Sequence, residues 1–167
     1  MEEKQEPEWL RDRKLWIQDA RRRNEGKVVI KESDCVWELG EQGMSFRYVC
    51  RSNWDRAALP FWQIFRLKLR THSGKHKHQG GLGIYVLEGK GYTIIDGVRY
   101  DWEEDDLLIL PVKPGGVTHQ HFNLNPGKPC EWLAIIFHPA VFDAMGVVFE
   151  QLEFDPDYKG KKRPEIG

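Results

Sequence analysis

The chain has 167 residues, a length that suits one domain with a hydrophobic core of its own. A hydrophobic content of 40% and an aromatic content of 12% exclude an intrinsically disordered chain. Lysine and arginine number 25 against 26 acids, a net charge of −1, which argues against nonspecific nucleic-acid binding through a basic surface.

No apolar run has membrane-spanning length, so no membrane association is expected. The acidic start, Met1 to Glu8, reads as neither signal nor transit peptide. Cys35, Cys50 and Cys130 are too sparse for a disulfide framework or a zinc knuckle. They suit free thiols, and with them a cytoplasmic location.

In chain order, residues 8–24 read as a helix with Trp9, Trp16 and Ala20 on one face, stopped at Asn24-Glu25-Gly26. The run Arg21-Arg22-Arg23 is a solvated helix end favoured by the helix dipole. Lys27-Val28-Val29-Ile30 and Cys35 to Leu39 read as strands, and Met44 to Cys50 alternates as another. Residues 1–55 form an arm with no catalytic look, placed to pack on the rest of the chain or on a second subunit.

From Phe61 the period is two. Phe61, Gln63, Phe65, Leu67 and Leu69 take the inner face; Trp62, Ile64, Arg66, Lys68 and Arg70 take the outer one. Short alternating runs closed by glycine turns then continue, as in a small all-β barrel over residues 56–138. Asp96-Gly97 between alternating apolar residues marks a hairpin. Glu103 to Asp106 is an acidic turn, Leu107 to Leu110 a buried strand, and Glu131 to Phe137 another. Residues 139–152 have helical features, and the tail from Asp155 reads as frayed.

Within this barrel, His76 and His78 share one strand face, and His119 follows on a later strand. Three imidazoles converging inside a barrel make a divalent-metal site with open positions. His121, two residues past His119, shares its face. It is open to three readings: an acid or base beside the metal, a fourth ligand, or an exposed histidine at the barrel mouth. Phe65, Leu67, Leu82, Ile84 and Phe122 predict an apolar pocket for an aromatic or alkyl substrate, with Gln63 the polar exception inside. Tyr85 points outward by strand parity, and His72 belongs to a loop.

These motifs resemble the cupin superfamily. His76, His78 and Gly89 fit its first motif, and Pro114, Gly116, His119 and Asn123 fit the end of its second, a resemblance covering residues 61–137. It implies a double-stranded β-helix, or jelly roll, that holds a divalent metal, here with an N-terminal helix and strand arm and a C-terminal helix and tail over 139–167. The sequence departs from the family twice. The glutamate of the first motif falls at Leu82 or Gly83, and the glycine that opens the second is Asp105.

The first departure leaves a three-histidine site. It is similar to that of the ring-cleaving subset which includes gentisate 1,2-dioxygenase, and this implies Fe(II) and O2 acting on a small hydroxylated aromatic acid or dicarbonyl compound. Two alternatives stay open. One is a non-oxidative isomerase, decarboxylase or lyase using manganese, nickel or zinc; the other is a cupin that only binds a small molecule. A homodimer is expected, with residues 27–50 covering a partner's sheet edge.

Overall fold

The computed structural model describes residues 6–125, 127–137 and 149–160. Among the described residues one α-helix, α1 (Glu8–Glu25), precedes eleven strands. These are β1 (Glu38–Gly40), β2 (Gly43–Val49), β3 (Trp62–Leu69), β4 (Lys75–His78), β5 (Leu82–Glu88), β6 (Lys90–Ile95), β7 (Val98–Glu103), β8 (Leu107–Leu110), β9 (Val117–Asn123), β10 (Cys130–Phe137) and β11 (Glu150–Glu153). They form two antiparallel sheets, ordered β1-β2-β3-β10-β5-β8 and β11-β4-β9-β6-β7. The fold is therefore all-β, as the two-residue period predicts.

Each strand contributes its alternate side chains to the space between the sheets. Leu67 and Leu69 of β3, Leu82, Ile84 and Val86 of β5, and Trp132, Ala134 and Ile136 of β10 are all buried there. The longest ladder joins β3 to β10 over eight pairs, from Trp62↔Phe137 to Leu69↔Cys130. Burying side chains of this size stabilises the fold by about 1.5–3 kcal/mol each.

Turn chemistry sets the registers that matter. Asp96 and Gly97 both take positive φ (49° and 88°), which a two-residue hairpin needs, and they join β6 to β7. Gly116, at φ 78°, lets the loop before β9 pass against β4. A Cβ there would stand 2.8 Å from the His78 carbonyl oxygen.

Several expectations need correction. Residues 27–30 do not form a strand. Lys27 makes one isolated bridge to Ala57, and Val28 and Val29 are exposed, because no neighbouring strand takes their hydrogen bonds. The second strand of the arm is short, starting at Glu38. Strand β2 pairs with β3 of its own chain, so this part of the arm completes its own sheet and is not free to cover a partner's.

Strand β8 is buried on one face only: Leu110 is in the core and Leu108 packs against it. The strand pairs only with β5, at the sheet edge, and Leu107 and Ile109 are 61% and 67% exposed. The helix expected over 139–152 lies mostly outside the described residues, and Glu150–Glu153 is a strand paired with β4. The chain just after it is not frayed: Asp155 is buried and its amide donates to the Glu41 carbonyl at 2.8 Å. Helix α1 forms as expected, but none of its residues is buried. Among the described residues no helix is long and apolar enough to cross a membrane.

Candidate metal centre

The β4–β9 ladder sets His76 directly opposite His119 and His78 opposite Val117. Strand parity turns all three histidines inward, and one ligand atom from each lies within 4.8 Å of the others. The rings of His76 and His119 are 4.1 Å apart, those of His78 and His119 4.8 Å. All three side chains are buried.

Hydrogen bonds fix which nitrogen each ring offers. His76 Nδ1 faces the Gly74 carbonyl at 3.3 Å, His119 Nδ1 faces the Val117 carbonyl at 3.2 Å, and His78 Nδ1 faces the Gln79 carbonyl. A carbonyl only accepts, so each Nδ1 carries the proton and each Nε2 keeps its lone pair. His119 Nε2 is buried with no hydrogen-bond partner among the described residues. Burial, with the other histidines beside it, holds the His119 pKa well below its ordinary value and keeps the ring neutral. A buried lone pair without a donor is costly unless a cation takes it up, so this site fits a divalent metal.

The histidines open onto a cavity of about 590 Å³ between the sheets. Its walls include Phe65, Leu82, Ile84 and Trp132, and Gln63 lies on its lining. Four of the residues expected to contact a substrate, Gln63, Phe65, Leu82 and Ile84, are thus brought together with the histidines. Phe122 is not; it faces the other side of β9 and stacks on Tyr92 at 4.6 Å.

The profile of the family described as "Cupin domain" matches residues 63–136, the stretch that carries all three histidines and most of the cavity walls. A cupin-like protein from Thermotoga maritima superposes with a TM-score of 0.52 at 19% identity, over 73% of this chain and 91% of that one. The barrel is a cupin fold. A polyketide cyclase from Streptomyces resistomycificus gives a TM-score of 0.55 at 13% identity, over 78% and 89%. A predicted oxalate decarboxylase from Thermotoga maritima gives 0.51 at 19%, over 67% and 100%. At such identities the likeness is one of fold, which hosts several chemistries. No curated protein matches the chain in sequence.

The chain has an apolar residue where the cupin motif places a carboxylate. Leu82 is buried on the cavity wall, and neighbouring Gly83 takes the opposite face of β5. Three neutral imidazoles then form the acid-free donor set.

His121 is not an exposed residue at the mouth. It is buried, its ring 5.4 Å from that of His119 and 4.9 Å from that of Trp132. Its Nδ1 lies 2.8 Å from Thr93 Oγ1, which also accepts the Trp102 Nε1 proton at 2.9 Å. The indole can only donate, and the threonine oxygen that accepts its proton keeps a second lone pair and its own proton for His121 Nδ1. With the threonine hydroxyl as the donor to Nδ1, the His121 proton sits on Nε2, the opposite tautomer from the three metal-facing rings. Burial, with His78 nearby, holds the His121 pKa at about 3, so the ring is neutral at physiological pH.

Other residues fall where strand parity or loop position puts them. Tyr85 points outward and donates to Asp105 Oδ1 at 2.6 Å. His72 stays apart from the three-histidine cluster, with Nδ1 3.0 Å from the Ser73 carbonyl oxygen. Arg66 is outward, held by Glu32 at 2.6 Å and by Glu131, and does not reach the cavity. Sequence reasoning missed Phe149, which stacks on His76 at 5.1 Å and on His78 at 5.8 Å. It also missed Arg47 and Arg51, which line the cavity from the arm. Their contact with the barrel carries no local sequence signal.

Proposed function

We propose that this cupin is an Fe(II) dioxygenase cleaving a small hydroxylated aromatic acid or dicarbonyl compound. The observation that carries the reading is an acid-free three-histidine donor set opening onto a largely apolar cavity between the sheets. His76, His78 and His119 would hold the ion through Nε2. Fe(II) would supply redox chemistry with O2 and a point of chelation for an anionic bidentate substrate.

The chain's own residues do the rest. Phe65, Leu82 and Ile84 take the apolar body of the substrate and exclude water. Gln63 offers it a hydrogen bond. His121 presents an Nε2 proton from a ring that stays neutral, a donor for oxygen that gains negative charge. That tautomer favours a hydrogen-bonding role over a fourth metal ligand. Both atoms of O2 end in the product, so the reaction needs no external reductant.

The test is anaerobic loading with ferrous iron followed by oxygen uptake with hydroxylated aromatic acids and β-dicarbonyl compounds. Near-stoichiometric iron, lost in His76→Ala and His119→Ala, and oxygen consumed in step with substrate are expected. Iron refused while manganese, nickel or zinc binds stoichiometrically would favour the non-oxidative reading. There the same buried His121 would serve proton transfer. No metal of any kind would leave a binding protein. The three free cysteines support a reducing compartment such as the cytoplasm.

A homodimer is part of this proposal. The outer face of the six-stranded sheet carries Leu133, Tyr85 and Leu107 in one row and Ile135, Gly83 and Ile109 in the next. Leu107 and Ile109 are exposed there, as are Trp9 and Trp16 on α1. A second copy supplies matching chemistry: an apolar stripe on α1, and a basic run Arg21-Arg22-Arg23 complementary to the acidic turn Glu103 to Asp106.

A further inference from the structure

The lining of the metal cavity is lopsided in charge. Its described residues include two cations, Arg47 and Arg51, and no aspartate or glutamate. Arg47 lies on β2, opposite Phe65 in the β2–β3 ladder, and shares the cavity-facing side of that strand with Ser45. Arg51 opens the short 3-10 turn Arg51–Asn53 that follows β2. Both stand on the six-stranded sheet and its extension, whereas the histidines stand on the five-stranded sheet.

Neither arginine makes an ion pair among the described residues. Elsewhere on the same sheet, the cations are matched: Arg66 by Glu32 and Glu131, and Lys68 by Glu131 at 3.2 Å. Two unmatched guanidiniums beside an acid-free cavity that also receives a divalent cation produce a positive field. Low-dielectric walls focus it inward. Guanidinium forks suit carboxylates, which they bind by paired charge-assisted hydrogen bonds.

We infer that Arg47 and Arg51 form the carboxylate-binding wall of the substrate site. The cavity then takes an organic acid whose metal-chelating oxygens face His76, His78 and His119 while its carboxylate faces β2. This rests on the reading of the three histidines as a substrate-chelating metal site. It gives the N-terminal arm a part in substrate selection. It also makes these two residues the source of discrimination between an acid and its neutral analogue.

The test uses the full chain loaded with zinc, which binds oxygen donors without redox turnover. Calorimetry compares 3,4-dihydroxybenzoate with 3,4-dihydroxybenzamide, which share the chelating pair and the ring and differ in charge. Catechol is the reference for chelation alone. The wild type is expected to bind the acid at least about tenfold more tightly than the amide, with a preference that falls as salt is raised. Arg47→Gln combined with Arg51→Gln should abolish that preference and leave amide and catechol affinity unchanged. Both side chains are exposed, so the melting temperature should hold within a degree or two, and it serves as the folding control.

Equal affinity for acid and amide in the wild type would overturn the inference, as would a preference that survives in the double variant. If catechol binds and the acid gains nothing, the arginine wall alone falls. If catechol and both acid derivatives fail to bind the zinc-loaded protein, the substrate-chelating reading of the histidines falls, and the inference falls with it.

Discussion

His76 and His119 face each other as a cross-strand pair, with ring centroids 4.1 Å apart and each Nδ1 turned to a backbone carbonyl. The two rings are therefore set before any metal arrives. Metal binding should raise the melting temperature, by about 2.7 kcal/mol of stabilisation at one hundred times the dissociation constant. Differential scanning fluorimetry with and without Fe(II) or Zn(II), reversed by chelator, checks this. His119→Ala should fold and lose the shift.

Thr93 joins Trp102 to His121 through one buried hydroxyl. Thr93→Val keeps the shape and removes both hydrogen bonds, so it should cost about 1–3 kcal/mol per polar group left unpaired. Urea unfolding measures the cost. Long-range nitrogen–proton spectra of the wild type should show His121 protonated on Nε2, with His76, His78 and His119 protonated on Nδ1. A shared tautomer for all four would contradict the hydrogen-bond assignment.

Burial pushes the Cys130 thiol up to about 12 from an ordinary value of 9.0. Its folded pKa lies above its unfolded one, so its contribution to stability is full below about pH 9 and is lost as pH rises towards 12. A thiol reagent at pH 8 should leave Cys130 unmodified in the native protein and label it after unfolding. Mass spectrometry of the labelled peptides reads the result.

Asp96 ties the β6–β7 hairpin to the loop that delivers His119. Its carboxylate accepts the Thr118 amide at 2.9 Å and pairs with Lys113. Burial alone would raise its pKa, but Lys113 and the Thr118 amide hold it below the ordinary value. A depressed pKa means stability present above about pH 3.8 and lost as pH falls through the lower folded value. Asp96→Asn tolerates the positive φ and should cost about 0.5–1.5 kcal/mol at neutral pH, less the closer the pH comes to the acid limit. Urea titrations at pH 7 and pH 3 test both signs.

Leu107 and Ile109 project from the edge strand β8 onto the outer face of the six-stranded sheet. Ile109→Lys should turn a dimer into a monomer at micromolar concentration without lowering the melting temperature of the barrel. Light scattering decides it, and a wild-type monomer would remove the dimer from the proposal.

The histidines and the inner faces of β3, β5 and β10 were legible because strand parity assigns a face to each alternate residue. The hairpin was legible because Asp96-Gly97 fits a turn that requires two positive φ values. Strand β8 misled because four apolar residues in a row look the same at a sheet edge as in its middle. Residues 27–30 misled because a β-branched run suits a strand but does not supply a neighbour. Phe149, Arg47 and Arg51 reach the site from distant stretches of chain, and no local period encodes such an approach.

The β3–β10 ladder has a consequence for how the protein comes into being. Its eight pairs join residues 62–69 to residues 130–137, so the central strands of one sheet cannot meet until the chain between them has been laid down. Loop closure on that scale must precede the contacts that repay it, which makes for slow, late folding. During synthesis the half-made barrel would hold Phe65, Leu67 and Leu69 without their cover. The acquisition of metal would then follow the pairing of β4 with β9 near the end of assembly, rather than guide its beginning.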